Sequence, residues 1–130
     1  MNRDYFYMSD VEYFDFIVVP RALVVNEHFA KLNGESKILY CMMMDRLKVS
    51  IKNKWLDEKG RVYLIYRIEE ICQLLNVGNQ KATKLIKELT TFDLIEKKKT
   101  KSGYNWFYLK KVDFAAFKKN ENLENRKDKE

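Results

Sequence analysis

The feature of this sequence that most limits its possible folds is a pair of short helical patterns separated by three residues, Asn76-Val77-Gly78. Before this break, residues 68–75 carry apolar side chains at helical spacing. After it, residues 80–91 carry an apolar stripe made of Ala82, Leu85, Ile86 and Leu89, with Gly78 or Asn79 as the cap. Two helices joined by so short a turn must pack at a steep angle, so the pattern predicts a helix-turn-helix.

Three strand patterns surround this unit. Residues 62–66 form a short β-rich run that follows a turn at residues 57–60. Residues 94–99 and 104–109 are two further strand-like runs, and the sequence Thr-Lys-Ser-Gly lies between them. This arrangement predicts a hairpin with a glycine-containing loop.

The central helix of the core is predicted at residues 34–53, with Asn33 as its N-cap. Its first half is apolar on every side, which is typical of a helix buried all round. A shorter helix is predicted from Pro20 to about Lys31. The order of elements predicts an α+β fold, a winged helix-turn-helix that has a tri-helical core, a small antiparallel β-sheet and a wing.

The chain divides into three predicted parts. Residues 1–33 are an N-terminal extension, residues 34–117 are the winged-helix domain with a last helical turn at 112–117, and residues 118–130 are a polar tail or linker. The extension begins with an arm that is dense in aromatic and acidic residues and ends in a strand-like run at 16–19. The rings of the arm can pack on the domain's own core or against a second subunit, and the sequence leaves both open.

The positive charge is concentrated in one quarter of the chain. The sequence has 25 Lys and Arg against 19 Asp and Glu, a net charge of +6, and residues 79–111 contain 9 of the basic and 3 of the acidic residues. A localised basic segment is what a polyanion-binding surface needs, because each neutralised phosphate releases a counterion. The competing interpretation is a solvated lysine-rich face.

The start of the second helix of the motif carries donors suited to bases and phosphates. We expect the recognition surface to consist of Asn79, Gln80, Lys81, Thr83, Lys84 and Lys87. We expect the wing to lie along the neighbouring phosphate backbone of the nucleic acid. Its contacts there would be made by Lys97, Lys98, Lys99 and Lys101. Because the charge excess coincides with the helix-turn-helix, double-stranded DNA is the predicted partner.

The aromatic residues of the last strand allow two interpretations. Stacking on unpaired bases is one function of such a group. Core packing is favoured by the alternation of a strand. The residues concerned are Tyr104, Trp106, Phe107 and Tyr108.

Nothing in the sequence predicts catalysis, a metal site or a cofactor. The single histidine, His28, has no recognisable partner and is interpreted as structural, and no phosphate-binding loop or metal-binding helix motif is present. Cys41 and Cys72 lie in apolar stretches, so both are predicted to be reduced core thiols. No apolar run approaches the ~20 residues of a membrane span, and the N-terminus does not resemble a secretory signal, so the cytoplasm is the expected location.

From about residue 14 to residue 112 the chain resembles the N-terminal domain of the RepA family of plasmid replication initiators from Gram-positive bacteria. The most specific match is the segment Trp55-Leu56-Asp57-Glu58-Lys59-Gly60-Arg61-Val62-Tyr63, which winged-helix packing does not require. Further matching stretches lie at residues 19–23, 36–40, 45–47, 50–54, 68–71, 81–89 and 94–96. The loop at residues 99–103 and the turn at residues 77–80 depart from the family pattern.

The resemblance implies a domain that binds repeated sites in a plasmid origin and works as a dimer. It also implies that host replication proteins are recruited by a separate C-terminal domain, which this sequence does not contain. The sequence also leaves two other functions open. A winged-helix transcription regulator would use the same surface, and a protein-docking winged helix would use its lysines only for solubility.

Overall fold

A computed structural model of the chain describes residues 4–10, 15–100 and 104–112. The described helices are α1 (Arg21–Val25), a short 3-10 helix (Glu27–Phe29), α2 (Gly34–Lys52), α3 (Ile68–Leu75) and α4 (Asn79–Thr91). The strands β1 (Leu64–Tyr66), β2 (Ile95–Lys99) and β3 (Asn105–Leu109) form an antiparallel sheet in the order β1-β3-β2. α4 leads directly into the β2-β3 hairpin, so the fold is the predicted winged helix-turn-helix.

Some predictions fall on residues outside the described part of the chain. These are residues 1–3 and 11–14 of the N-terminal arm, residues 101–103 of the wing loop, which include Lys101, most of the last helical turn (113–117) and the polar tail (118–130).

Helix α2 begins where its N-cap predicts. The Oδ1 atom of Asn33 accepts a hydrogen bond of 2.8 Å from the N–H of Glu35, and the helix runs to Lys52. The prediction that its first half is buried all round is wrong, because Ile38 is 43% exposed. Leu39, Tyr40, Cys41 and Met43 are buried and cover more than half of the circumference of α2, which packs against α4 and the sheet.

The N-terminal extension differs from its prediction in two ways. Asn26 interrupts the helix expected from Pro20 to Lys31, because its backbone is extended and its Oδ1 accepts a 2.9 Å hydrogen bond from the N–H of His28, which starts the 3-10 helix. Asparagine side chains commonly compete with helices in this way. The run at residues 16–19 forms no strand within the described sheet.

The hydrophobic core lies between the sheet and the helices. It draws on the N-terminal extension as well as the helix-turn-helix, so both share one core. Its buried members include Leu23, Phe29, Leu32, Leu39, Met43, Leu64, Ile71, Leu85, Leu89 and Phe107.

Tyr40 anchors the chain where it leaves the sheet. Its hydroxyl donates a 2.7 Å hydrogen bond to the carbonyl of Lys110, immediately after β3. Burial raises the pKa of Tyr40 to about 12, so the hydroxyl stays protonated and available as a donor. This contact fixes the end of β3 against α2.

Candidate nucleic-acid interface

The turn between α3 and α4 is closed by one carbonyl. The carbonyl of Cys72 accepts hydrogen bonds from the N–H groups of Asn76 and Val77. Asn76 takes up the left-handed backbone conformation, with φ 55° and ψ 49°, which asparagine tolerates better than most residues. Gly78 then serves as the N-cap, and α4 begins at Asn79, one residue before its predicted start. The turn therefore sets the direction in which α4 leaves α3.

One face of α4 is buried and the opposite face carries exposed donors. Ala82, Leu85, Ile86 and Leu89 pack inward, as the sequence pattern predicted. Gln80, Lys84 and Lys87 follow one another at helical spacing on the other side and are exposed. No hydrogen bond or ion pair with another described residue engages these three side chains. We call them the outer stripe of α4.

Lys81 lies on the flank of α4 rather than on the outer stripe. Its Nζ is 3.0 Å from Oε1 of Glu35 at the start of α2. Two turns further along the same flank, the carboxylate of Glu88 accepts a hydrogen bond from the backbone N–H of Asn33. The start of α2 therefore holds this flank, and Lys81 is already paired within the protein.

Two other predicted contact residues are also engaged. Oδ1 of Asn79 accepts a 3.2 Å hydrogen bond from Sγ of Cys72, and the hydroxyl of Thr83 donates a 2.9 Å hydrogen bond to the carbonyl of Asn79. Of the six predicted residues on α4, the structure thus separates three that have partners from the three of the outer stripe. The partners lie on α2, on α3 and in the backbone of α4, so the helical pattern alone does not reveal them.

The wing lysines lie on two faces of the sheet. Lys97 is directly opposite Phe107, and Lys98 is directly opposite Trp106. Side chains that lie opposite each other in an antiparallel pair share a face. Because Phe107 belongs to the core, Lys97 lies on the side of the helices, and Lys99 follows by alternation. Lys98 lies on the outer face, with Nζ 5.6 Å from the centroid of the Trp106 ring.

The outer face of the sheet is covered by residues 55–63, the segment that most resembles the RepA family. The loop is closed by a bridge between Leu56 and Val62. Oδ1 of Asp57 accepts hydrogen bonds from the N–H groups of Lys59 and Arg61, and its Oδ2 lies 2.8 Å from Nε of Arg61. Loss of hydration acts to raise the pKa of Asp57, but the hydrogen bonds from Arg61 and Lys59 outweigh it and lower the pKa to about 2.

This loop packs against Trp106 and Tyr108, two of the aromatic residues of β3. Tyr63 stacks on Trp106, with ring centroids 4.0 Å apart and an interplanar angle of 3°, and the guanidinium of Arg61 lies 4.9 Å from the Tyr108 ring centroid. Phe107 and Tyr108 are both buried, as the packing interpretation predicted. The ring of Trp106 has Tyr63 and Lys98 as neighbours, so the structure favours packing over base stacking for this residue as well.

His28 and the possible metal ligands of the described residues lie apart from one another. His28 is exposed and packs edge-on against the rings of Phe29 and Phe92. Within residues 4–10, 15–100 and 104–112, no group of three or more His, Cys, Asp and Glu side chains is placed to hold a metal ion. Among the same residues, no helix combines the length and the apolar character needed to cross a bilayer.

The family model for the N-terminus of replication initiator protein A (RepA) matches residues 15–123. The chain belongs to this family. The match covers every described helix and strand, including the outer stripe and the hairpin. It confirms the resemblance that the segment at residues 55–63 indicated.

Three solved structures are similar to this RepA N-terminal domain at 32% identity. A structure described as the N-terminal domain of a DNA-binding protein has a TM-score of 0.74 and aligns with 96% of this chain and 98% of its own. An MDR initiator has a TM-score of 0.72, with 93% and 98% covered. A Rep–DNA complex has a TM-score of 0.73, with 95% and 97% covered.

A curated relative is considerably longer than this chain. It is a 41 kDa protein of Lactobacillus helveticus, 30% identical over 77 residues, which are 59% of this chain and 22% of the relative. The aligned part of the chain therefore spans about a fifth of that protein.

Proposed function

We propose that this RepA N-terminal domain binds double-stranded DNA at repeated sites in a plasmid replication origin and recognises their sequence. The observation that carries the proposal is the outer stripe of α4, formed by Gln80, Lys84 and Lys87, beside a hairpin with exposed lysines. An α-helix fits the major groove, where each base pair presents its own pattern of donors and acceptors. The similar Rep–DNA complex supports this partner.

The contacts divide into reading and positioning roles. In helix-turn-helix proteins the N-terminal part of the second helix meets the base edges. Gln80 and Lys84 lie there, and their side chains suit adenine and guanine respectively. Lys87 lies about one turn after Lys84 along α4, and its side chain suits a phosphate. Lys97 and Lys99 lie on the helix side of the sheet, where they can reach the phosphate backbone of the DNA. Lys98 lies on the other face.

A salt-dependent titration tests this function. A labelled duplex from the origin of the plasmid that encodes the protein is titrated at several salt concentrations, beside a duplex of scrambled sequence. Both affinities should fall on the order of tenfold or more for a few-fold rise in salt, and the origin duplex should bind more tightly throughout. Equal binding of the two duplexes favours general DNA binding, and absence of binding favours a protein-docking winged helix; either result contradicts the proposal.

We also propose that the domain forms a homodimer and that the N-terminal arm contributes to it. Tyr5 is 84% exposed and Met8 is 100% exposed in the single chain, so these side chains contribute little to its own core. Large apolar side chains left in water are typical of interaction sites. Sedimentation equilibrium should give a dimer for the full chain and a monomer after deletion of residues 1–10. A dimer that survives the deletion would place the contact elsewhere.

The remaining parts of the proposal concern the longer protein. Recruitment of host replication proteins by a C-terminal domain stays a prediction, because the match covers only 22% of the curated relative. A domain that binds a plasmid origin works where the plasmid lies, so we place it in the cytoplasm. The proposed role is binding without catalysis.

A further inference from the structure

The side chain of Asn79 is held at the point where α4 begins. Sγ of Cys72 donates a hydrogen bond to its Oδ1 over 3.2 Å. Cys72 is half-buried on the last turn of α3 and packs against the core. Its carbonyl also closes the turn through Asn76 and Val77. One residue therefore fixes both the turn and the first side chain of α4.

This contact limits what the amide of Asn79 can present to DNA. An asparagine amide has an acceptor oxygen and an NH₂ group with two donors. Bidentate recognition of adenine requires the oxygen and the NH₂ group to face the same base edge. Since Oδ1 points at the thiol of Cys72, a base edge that engaged both groups would have to break this hydrogen bond or share the oxygen. Nδ2 remains as the group available for the duplex.

We infer that Cys72 is a positioning residue for DNA recognition, which orients Asn79 as a hydrogen-bond donor toward an acceptor on guanine or thymine. In the major groove guanine presents two adjacent acceptors, O6 and N7, and thymine presents O4, whereas the N7 acceptor of adenine lies beside its N6 donor. The inference rests on the proposed function and adds a base preference to it. Cys72 itself touches no base and acts through Asn79.

The test uses duplexes with a randomised central segment, so the natural target need not be known. The full chain and its variants select from this pool, and the bound duplexes are sequenced. Asn79→Ala should lower the preference for guanine or thymine at one base pair about fivefold, the value expected for one lost hydrogen bond. Cys72→Ala should lower the same preference to a similar extent, whereas Cys72→Ser, which keeps a donor, should retain it.

The double variant Cys72→Ala with Asn79→Ala makes the test specific. If Cys72 acts only through Asn79, the double variant should lose no more than either single variant. Melting temperatures of all variants show whether the turn survives, and Cys72→Val replaces Cys72→Ala as the donor-free variant if the smaller side chain unfolds the protein.

Three results would overturn the inference. They are an unchanged preference in a folded donor-free variant, a loss of preference for adenine in Asn79→Ala, and an equal weakening of all sequences. A wild-type protein that selects no sequence at all would instead contradict the proposed function, so the two failures are distinguishable.

Discussion

Nζ of Lys81 lies 3.0 Å from Oε1 of Glu35, so a lysine of the proposed DNA-recognition helix already has an anionic partner within the fold. The two side chains are 39% and 49% exposed, and ion pairs of this kind contribute at most about 1 kcal/mol. A DNA phosphate that attracts Lys81 therefore has to compete with the carboxylate of Glu35.

The first prediction concerns this competition. Glu35→Gln removes the competing carboxylate, so duplexes of any sequence should bind up to about fivefold more tightly. The salt dependence should also become steeper, because one more lysine releases a counterion. Glu58→Gln changes the charge equally on the loop over the outer face of the sheet. Fluorescence anisotropy measures the affinity of each variant and its salt dependence. Equal gains for the two variants would show that only the net charge matters.

The second prediction concerns the outer stripe of α4. Lys84 is exposed and has no described partner, so Lys84→Ala should leave the fold unchanged. It should reduce discrimination between the origin duplex and a mutated site by about 1–3 kcal/mol. Competition binding with the two duplexes measures this difference. An equal loss on both would assign Lys84 to the backbone instead of the bases.

The third prediction uses two adjacent lysines as a matched pair. Lys97 and Lys98 have the same charge and both are exposed, but they lie on opposite faces of the sheet. Lys97→Ala should weaken all duplexes alike and reduce the slope of affinity against salt by about one counterion. Lys98→Ala should have a smaller effect on both quantities. The reverse order would mean that DNA meets the outer face of the sheet.

The fourth prediction concerns stability in acid. The pKa of Asp57 is lowered to about 2 from an ordinary value of 3.8, because its hydrogen bonds from Arg61 and Lys59 outweigh the lost hydration. A lowered carboxyl pKa contributes stability that is present above the unfolded-state pKa and is lost as the pH falls through the folded-state pKa. The Asp57 contribution should therefore disappear between about pH 4 and pH 2.

Asp57→Asn isolates this contribution. The variant should have a lower melting temperature than wild type at neutral pH, and the difference should shrink as the pH falls toward 2. Glu58→Gln, at the neighbouring exposed carboxylate, should change neither quantity. A constant difference between Asp57→Asn and wild type at all pH values would show that the hydrogen bonds do not depend on the charge of Asp57.

The fifth prediction concerns Trp106. Tyr63 stacks on its ring at 4.0 Å and Lys98 lies 5.6 Å from its centroid, so little of the ring is left for an unpaired base. In a Trp55→Phe background, where Trp106 is the remaining tryptophan, a thymine oligonucleotide should not quench its fluorescence. Strong quenching would support base stacking.

Tyr63→Ala should lower the melting temperature, because an aromatic pair contributes about 0.5–1.5 kcal/mol beyond its buried area.

Several features of the fold could be predicted from local sequence. The bounds of α3 are those predicted, and α4 starts one residue before its predicted start. Both helices could be predicted because the spacing of their apolar residues, such as Leu85 and Leu89 in α4, follows the period of a helix. The two strands of the hairpin follow from their sequence patterns, and residues 101–103 of its predicted glycine-containing loop lie outside the described residues. The prediction of one helix at residues 20–31 was wrong at Asn26. The side chain of Asn26 accepts a hydrogen bond from the N–H of His28, which in a continuous helix would bond to a backbone carbonyl.

The order of the elements, the position of the charge and the family could all be read from the sequence, because periodicity, composition and motif are written along the chain. Packing between the helices sets which donors on α4 have partners within the fold. Lys81 is paired because α2 brings Glu35 to it, and Asn79 is oriented because the turn brings Cys72 to it. Both partners are set by packing between helices, and the direction in which a helical side chain points depends on that packing as well as on spacing.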